Sequence, residues 1–413
     1  MNSRAMSIVL QLAIVLMLAP FASAQDWWMQ MQLLSTNVGW TFSGGDMVWT
    51  NDNGRHWKEI TPDVRALNEG IVSVFFLDTS RGWALLSGYD DPSDAGLRSP
   101  KYGLAFTKDS GATWSVKQLN IPVNPNECIL LPQGYIQFTD ATHGWMNLDV
   151  QSGAAFHSGI LLRTVDGGKN WTWAPGPGTS GEIRFINQRN GWVVSPEHNE
   201  LWVTHDGGTD WKQVSLKPPP RVTPADVAAY QLPVFADGKH GALEIGFSTP
   251  PTQSPDRCQK SLFVTADGGK SWKFRQVLTR QPECGRMWPV AAADSVVLTP
   301  ETSGETLTLK KVALGGKSAA ASTGSDIGFP ATVLSVSFVS PQEGWISTIA
   351  CCKTACSTCV LCPMHGIHCG PGGTGSQCPA LLSTVDGGIT WTDITLRRTC
   401  MQDLTGKKTC TVQ

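Results

Sequence analysis

The stretch Thr50-Asn51-Asp52-Asn53-Gly54-Arg55-His56-Trp57 recurs at 107–114, 164–171, 204–211, 265–272 and 384–391, each copy reading T-x-D-x-G-x-x-W. A second motif precedes most copies: Gly-Trp, at Trp40, Trp83, Trp145, Trp192 and Trp345, with Gly241-Ala242 in its place before the fifth copy. The two motifs use 11 of the 17 Trp, so the Trp excess over 4 Tyr is mainly a repeat signature. A chain with a fixed motif at intervals of this size is an array of one supersecondary unit.

Spacing gives the number of units. The repeated aspartates fall at 52, 109, 166, 206, 267 and 386, with gaps of 57, 57, 40, 61 and then 119. The last gap is a doubled one, which places a degenerate unit at 285–316, where Met287-Trp288-Pro289-Val290, Ser295–Leu298 and Thr306–Leu309 read as strands. Six clear units and one degenerate unit make seven. Each carries four short apolar runs bounded by Gly, Asp and Asn, as in Val72–Leu77, Gly82–Ser87, Leu104–Thr107 and Trp114–Leu119. Such runs are antiparallel strands. Four strands in each of seven units predict an all-β fold, a single seven-bladed β-propeller of four-stranded blades. Thr223–Tyr230 alone reads as a helix, with Pro224 in its first turn.

With the strands lettered A to D, the octapeptide spans the C–D turn. Asp52, Asp109, Asp166, Asp206, Asp267 and Asp386 are suited to accept hydrogen bonds from the turn's own N–H groups. The Gly supplies a backbone shape that a Cβ would oppose. The Trp is expected to lay its ring over the turn and the next blade. Six aspartates on separate turns do not converge on one substrate, so these residues are read as structural.

The octapeptide resembles the Asp-box, or bacterial neuraminidase repeat, of sialidases, xyloglucanases and sortilin-type receptors. Its pairing with a preceding Gly-Trp, over roughly residues 30–395, resembles the photosystem II stability and assembly factor family of seven-bladed propellers. That resemblance implies an exported propeller acting as an assembly or maturation factor. The sialidase resemblance would imply an Arg triad, a Tyr nucleophile and an F-R-I-P motif near the N-terminus. The nearest string here is Arg184-Phe185-Ile186, in mid-chain.

Composition agrees with a large β domain. The chain has 413 residues, 42 Gly and 26 Pro, with charged residues at only 16%. A net charge of -2 excludes a nucleic-acid binder working by bulk charge. Arg4, the apolar run Ile8–Leu18 and Ala22-Ser23-Ala24 read as a signal peptide over 1–24, with cleavage before Gln25. The run is too short to span a bilayer. The propeller then occupies 25–398, with a Cys-rich insertion at 351–379 and a tail at 399–413. The expected location is periplasmic or extracellular.

All 12 cysteines follow the signal segment, in a compartment where disulfides persist. Cys258 and Cys284 flank the C–D hairpin of the fifth unit and are expected to pair; so are Cys400 and Cys410. Seven cysteines crowd 351–378. There Cys356-x2-Cys359-x2-Cys362, with His365 and His368, has zinc-like spacing, but export favours disulfides. No metal and no cofactor is assigned.

Strand order sets the working face. C–D turns are short and uniform, whereas the long B–C loops (87–102, 149–159, 248–260, 351–379) and D–A links (120–134, 215–233, 315–330) share the opposite rim. Functional residues gather on variable loops held by a rigid scaffold. The candidate rim residues are Arg98, Tyr102, Arg221, Tyr230, Arg257, Arg286 and Trp288. The expected partner is a protein or polypeptide segment. A glycan ligand, or sialidase-like glycoside hydrolysis, is the alternative; a single propeller with few Tyr leans away from an enzyme.

Overall fold

Every repeat folds into four antiparallel strands made from one continuous stretch of chain, in a computed structural model that describes residues 30–412 except 44, 64–68, 90–98, 122–127, 153–156, 196–198, 250–257, 282–289, 304, 316–320, 329–330, 352–376, 397 and 403–407. Blade one is Met31–Leu33, Gly39–Ser43, Asp46–Thr50 and Lys58–Glu59. Blade two is Glu69–Phe76, Gly82–Gly88, Lys101–Thr107 and Ser115–Leu119. Blade three is Cys128–Phe138, Gly144–Ser152, His157–Thr164 and Thr172–Trp173. Blade four is Ile183–Phe185, Gly191–Ser195, Glu200–Thr204 and Lys212–Gln213. Blade five has a divided first strand, Val227–Tyr230 and Val234–Phe235, then Gly241–Ser248, Cys258–Thr265 and Lys273–Gln281. Blade six is Ala291–Ala293, Val296–Ser303, Thr306–Ala313 and Ala321–Asp326; blade seven is Ala331–Phe338, Gly344–Cys351, Gln377–Thr384 and Thr392–Asp393. The seven sheets form a seven-bladed β-propeller, as the repeat count predicts. A two-stranded ribbon, Arg398–Gln402 with Lys408–Val412, follows the ring.

The stretch 149–159 is not a long B–C loop: Asp149–Gln151 pairs with His157–Gly159, because the two strands run on past the expected ends. Two further expectations need correction. Thr223–Tyr230 is not helical: Asp226 Oδ2 accepts from Thr223 N at 2.7 Å and from its Oγ1 at 3.0 Å, closing a turn around Pro224. Val227–Tyr230 then pairs with Ile245–Ser248 as the inner strand. Tertiary pairing to a waiting strand edge overrides a weak local helical pattern. Second, the degenerate blade runs from 291 to 326, and 315–330 is not simply a D–A link, because Ala321–Asp326 is its outer strand and pairs along Thr306–Lys311.

The strand A segments of successive blades touch one another, so strand A is innermost and strand D outermost. Side chains reach across these inner strands to the next blade's backbone. Gln137 Nε2 donates to Phe185 O at 2.9 Å while its Oε1 accepts from Phe185 N at 2.6 Å, so an amide imitates a strand neighbour. Gln30 does the same to Val72 O and Val74 N. Ser73, Arg184 and Ser337 bridge further pairs of blades.

The blades are clasped by aromatic rings. Trp83 of blade two lies stacked on Phe138 of blade three at 3.8 Å, and its Nε1 donates to Gly167 O at 3.2 Å. Trp145 stacks on Phe185 at 3.8 Å and bonds to Gly207 O at 3.1 Å in the same way. The Trp of Gly-Trp therefore reaches forward. The octapeptide Trp reaches back, which corrects the expected direction: Trp114 Nε1 donates to Ile60 O in the preceding blade at 2.7 Å. Trp57 likewise donates to Ile394 O at 3.2 Å, and Trp345 Nε1 donates to Asn53 Oδ1 at 2.7 Å. These bonds join blade seven to blade one, and among the described residues no sheet mixes strands from the two ends of the chain.

The Gly of Gly-Trp has a packing cause. At Gly144 a Cβ would sit 2.6 Å from the Phe138 ring, so only hydrogen leaves room for the ring that the preceding Trp stacks on. That Phe belongs to a longer motif, F-x-D-x-x-x-G-W, whose polar third residue caps the A–B turn. Asp140 Oδ1 accepts from Thr142 N and His143 N at 2.8 and 2.9 Å, and Asp78 does the same for Ser80 and Arg81 at 2.9 and 2.7 Å.

Candidate binding rim

The octapeptide turns build one face. In each, the Thr hydroxyl donates to the Asp carboxylate at 2.7–2.9 Å and accepts from the Gly N–H at 2.8–3.0 Å. The same carboxylate accepts the amide four residues on, as from Asn170 to Asp166 at 2.9 Å. Its second oxygen takes the side chain there: His56, Thr113, Asn170, Ser271 or Thr390. Both residues before the last three have positive φ, for example Gly167 at 77° and Gly168 at 91°, which Asn53 and Ser110 adopt at their turns. The hydrogen bonds hold the carboxylates low. Asp166 lies at about 2, chiefly through the Asn170 amide, and Asp109 at about 2, chiefly through the Thr113 hydroxyl. Each carboxylate is thus ionised and occupied by its own turn, a poor starting point for acid–base chemistry.

Antiparallel order puts the B–C and D–A connections at the other end of every blade. There the link from blade three to blade four folds over its own sheet. Asn147 Nδ2 donates to Thr179 O at 3.1 Å and Gly181 O at 2.9 Å, and Ser158 Oγ donates to Gly178 O at 2.8 Å. The backbone of Thr179 passes directly above Gly159. Beside it, His157 Nδ1 faces Asp149 Oδ2 at 3.5 Å, with the carboxylate only 11% exposed. The link from blade four to blade five is anchored by Gln259 Nε2 to Pro220 O at 3.2 Å and by Thr249 Oγ1 to Asp226 Oδ1 at 3.2 Å.

The candidate residues divide. Arg221 is exposed on this rim, with φ 73°. Tyr230 is half-buried against the core between blades four and five, and burial pushes its phenol up. Tyr102 is not a surface residue: it is 1% exposed, and its hydroxyl donates to Leu131 O and to Gln133 O, the latter at 3.1 Å. Its place in strand C points the ring at blade three, so it is a core residue and not a ligand contact. Arg98, Arg257, Arg286, Trp288 and Cys284 lie outside the described residues, as do the signal segment and most of the Cys-rich insertion. Cys258 opens its strand, 2% exposed and opposite Gln281, three residues before Cys284. Cys400 and Cys410 face each other in register across the terminal ribbon.

Sequence reasoning passed over Asp149, His157 and Asn147. Asn147 and Asp149 carried a signal: they alternate with Met146, Leu148 and Val150 inside a long apolar strand. Among the described residues, no group of three His, Cys, Asp or Glu side chains is placed to hold a metal, and no helix is long and apolar enough to cross a membrane.

No family model matches the sequence, and no curated protein matches it. Solved structures of similar fold do exist. The chain is similar to YCF48 bound to D1 peptide, at 14% identity and TM-score 0.43, over 79% of this chain and 82% of that one. It is similar to an ancestral GH74 enzyme at 11% identity and TM-score 0.49, over 92% of this chain and 48% of that one. It is also similar to the GH93 alpha-L-arabinofuranosidase of Fusarium graminearum, in complex with arabinobiose, at 14% identity and TM-score 0.42, over 76% and 92%. At this identity the likeness is one of fold, and propellers of one fold serve different functions.

Proposed function

We propose that this protein is an exported, non-enzymatic propeller that binds a polypeptide segment through its B–C and D–A rim, in the manner of an assembly or maturation factor. The observation that carries the reading is the asymmetry of the two faces. One is made of turns whose polar groups are consumed by the turns themselves. At the other, the links from blade three to blade four and from blade four to blade five are anchored onto the sheets by side-chain bonds. Anchored loops lose less freedom on binding, which favours recognition there.

The test is charge reversal on the exported, mature protein. Binding is read on an immobilised peptide library, with a glycan array and chromogenic glycosides run in parallel. Arg98→Glu, Arg221→Glu and Arg257→Glu each weaken peptide binding about three- to tenfold, mainly through the association rate. Arg55→Glu and Lys169→Glu, on octapeptide turns, leave it unchanged. Silent rim variants with loss in the controls place the site on the wrong face. Glycoside hydrolysis overturns the non-enzymatic reading.

Two disulfides accompany this proposal, Cys258–Cys284 and Cys400–Cys410. The first closes the long-loop end of blade five; the second staples the terminal ribbon. Each adds roughly 2–4 kcal/mol in a typical case. Peptide mapping without reductant recovers both as linked pairs; recovery of either cysteine alkylated, or joined elsewhere, refutes that pairing.

A further inference from the structure

Six of the seven seams between blades hold aromatic rings, from Trp40 on Phe76 and Trp83 on Phe138 to Trp345 on Trp57. The seam between blades five and six differs. Blade five has Ala242 where the other clear blades have the forward-reaching Trp, and blade six has no octapeptide to reach back. Among the described residues, its core is Val234, Ala242, Leu262, Val290, Val297 and Val312, with no ring.

Charges occupy the same seam. Glu244, in the strand Gly241–Ser248, pairs with Leu262, so its side chain shares the face that meets blade six. It is fully buried, and neither carboxylate oxygen has a hydrogen-bond partner. Lys260, two residues from Leu262 on that face, is 2% exposed. From blade six, the like charge of Glu301 acts on Glu244, and Lys310 reaches across the seam to blade five. Lys310 is already engaged, its Nζ 2.7 Å from Glu301 Oε2 and 3.3 Å from Leu278 O. Tyr230, on the inner strand of blade five, packs on the opposite face of that sheet. Burial, opposed by Lys260 and reinforced by Glu301, pushes the Glu244 carboxyl above the usual carboxylate range. An isolated buried carboxylate is costly unless it is paired or neutralised.

We propose that the seam between blades five and six is a proton-operated closure: Glu244 takes a proton from water when the two blades dock, returns it when they part, and makes this seam the first to open as pH rises. The closed state holds the proton more tightly than the open state. Its contribution is therefore complete below the ordinary carboxylate range and is lost as pH rises, the loss levelling off once the closed-state carboxyl has itself ionised. Lys260, whose ammonium is pushed down by burial, acts in the opposite sense.

Hydrogen exchange on the full chain, corrected for intrinsic rates, reads this directly. From about pH 5 upward, protection in Val296–Ser303, Thr306–Ala313 and Gly241–Ser248 falls by on the order of tenfold per pH unit, for one proton released per opening, until the closed-state carboxyl ionises. The strands at the seam of blades two and three hold theirs. Glu244→Gln, which keeps the shape and removes the titration, abolishes the pH dependence at the seam. An infrared carboxylic-acid band at neutral pH is present in the native protein and missing from that variant. Uniform loss of protection across all seams, an unchanged pH response in Glu244→Gln, or no acid band in the native protein overturns the proposal. The exchange profile and the band of the native protein decide it even where the variant fails to fold.

Discussion

Trp83→Ala lowers the unfolding free energy by about 3–5 kcal/mol, the range for removing a large buried aromatic. The ring is fully buried, stacks on Phe138, meets Phe106 at 5.3 Å and bonds through Nε1 to the turn of the next blade. Its loss opens a cavity at the seam of blades two and three and leaves Gly167 O without that donor. Because no strand is shared between blades, side-chain packing and side-chain hydrogen bonds carry the cohesion of the ring. The matched control is Trp173→Ala on an outer strand, 51% exposed, which changes stability by about 0.5 kcal/mol or less. Equilibrium denaturation in urea separates the two. A loss below about 1 kcal/mol for Trp83→Ala contradicts the clasp.

Gly159→Ala has the second largest effect, a loss of about 2–3 kcal/mol, at the upper end of overpacking costs. A Cβ there would lie 2.0 Å from Thr179 O and 2.4 Å from Thr179 C. Both are backbone atoms, so no rotamer change relieves the collision. The link from blade three to blade four must lift away, and the bonds from Asn147 and Ser158 go with it. The control is Gly238→Ala, where nothing lies within 4 Å. Melting temperatures of the two variants give the first comparison. Faster amide exchange across 176–181 in Gly159→Ala alone locates the damage at the rim. Equal melting temperatures refute the account.

These two residues illustrate different kinds of legibility. Trp83 belongs to a motif repeated through the chain, so its place in every clear blade but one was readable from the sequence, although its clasp on Phe138 was not. Gly159 carries no motif and is needed only because a distant turn crosses above it. The rim follows the same division. Its position was readable from strand order, because antiparallel strands fix which connections share an end. Its contents were not. Tyr102 reads as an exposed aromatic beside a long loop, yet neighbouring blades enclose it.

The sequence by itself determined the number of blades, the four strands in each, and the face on which the octapeptide turns lie. All of these follow from a local code repeated at regular intervals: a Thr-Asp-Gly turn satisfies its own hydrogen bonds wherever it occurs. Tertiary structure alone decided the rest. Val227–Tyr230 is a strand because Ile245–Ser248 offers it partners, and Ala321–Asp326 is an outer strand because Thr306–Lys311 does. The octapeptide Trp turns back and not forward because the hollow that receives it, with the carbonyl of Ile60 or Ile394 at its edge, belongs to the preceding blade. Glu244 is an ordinary letter in a strand until blade six closes over it; burial and the like charge of Glu301, some fifty residues away in that blade, then push its carboxyl up.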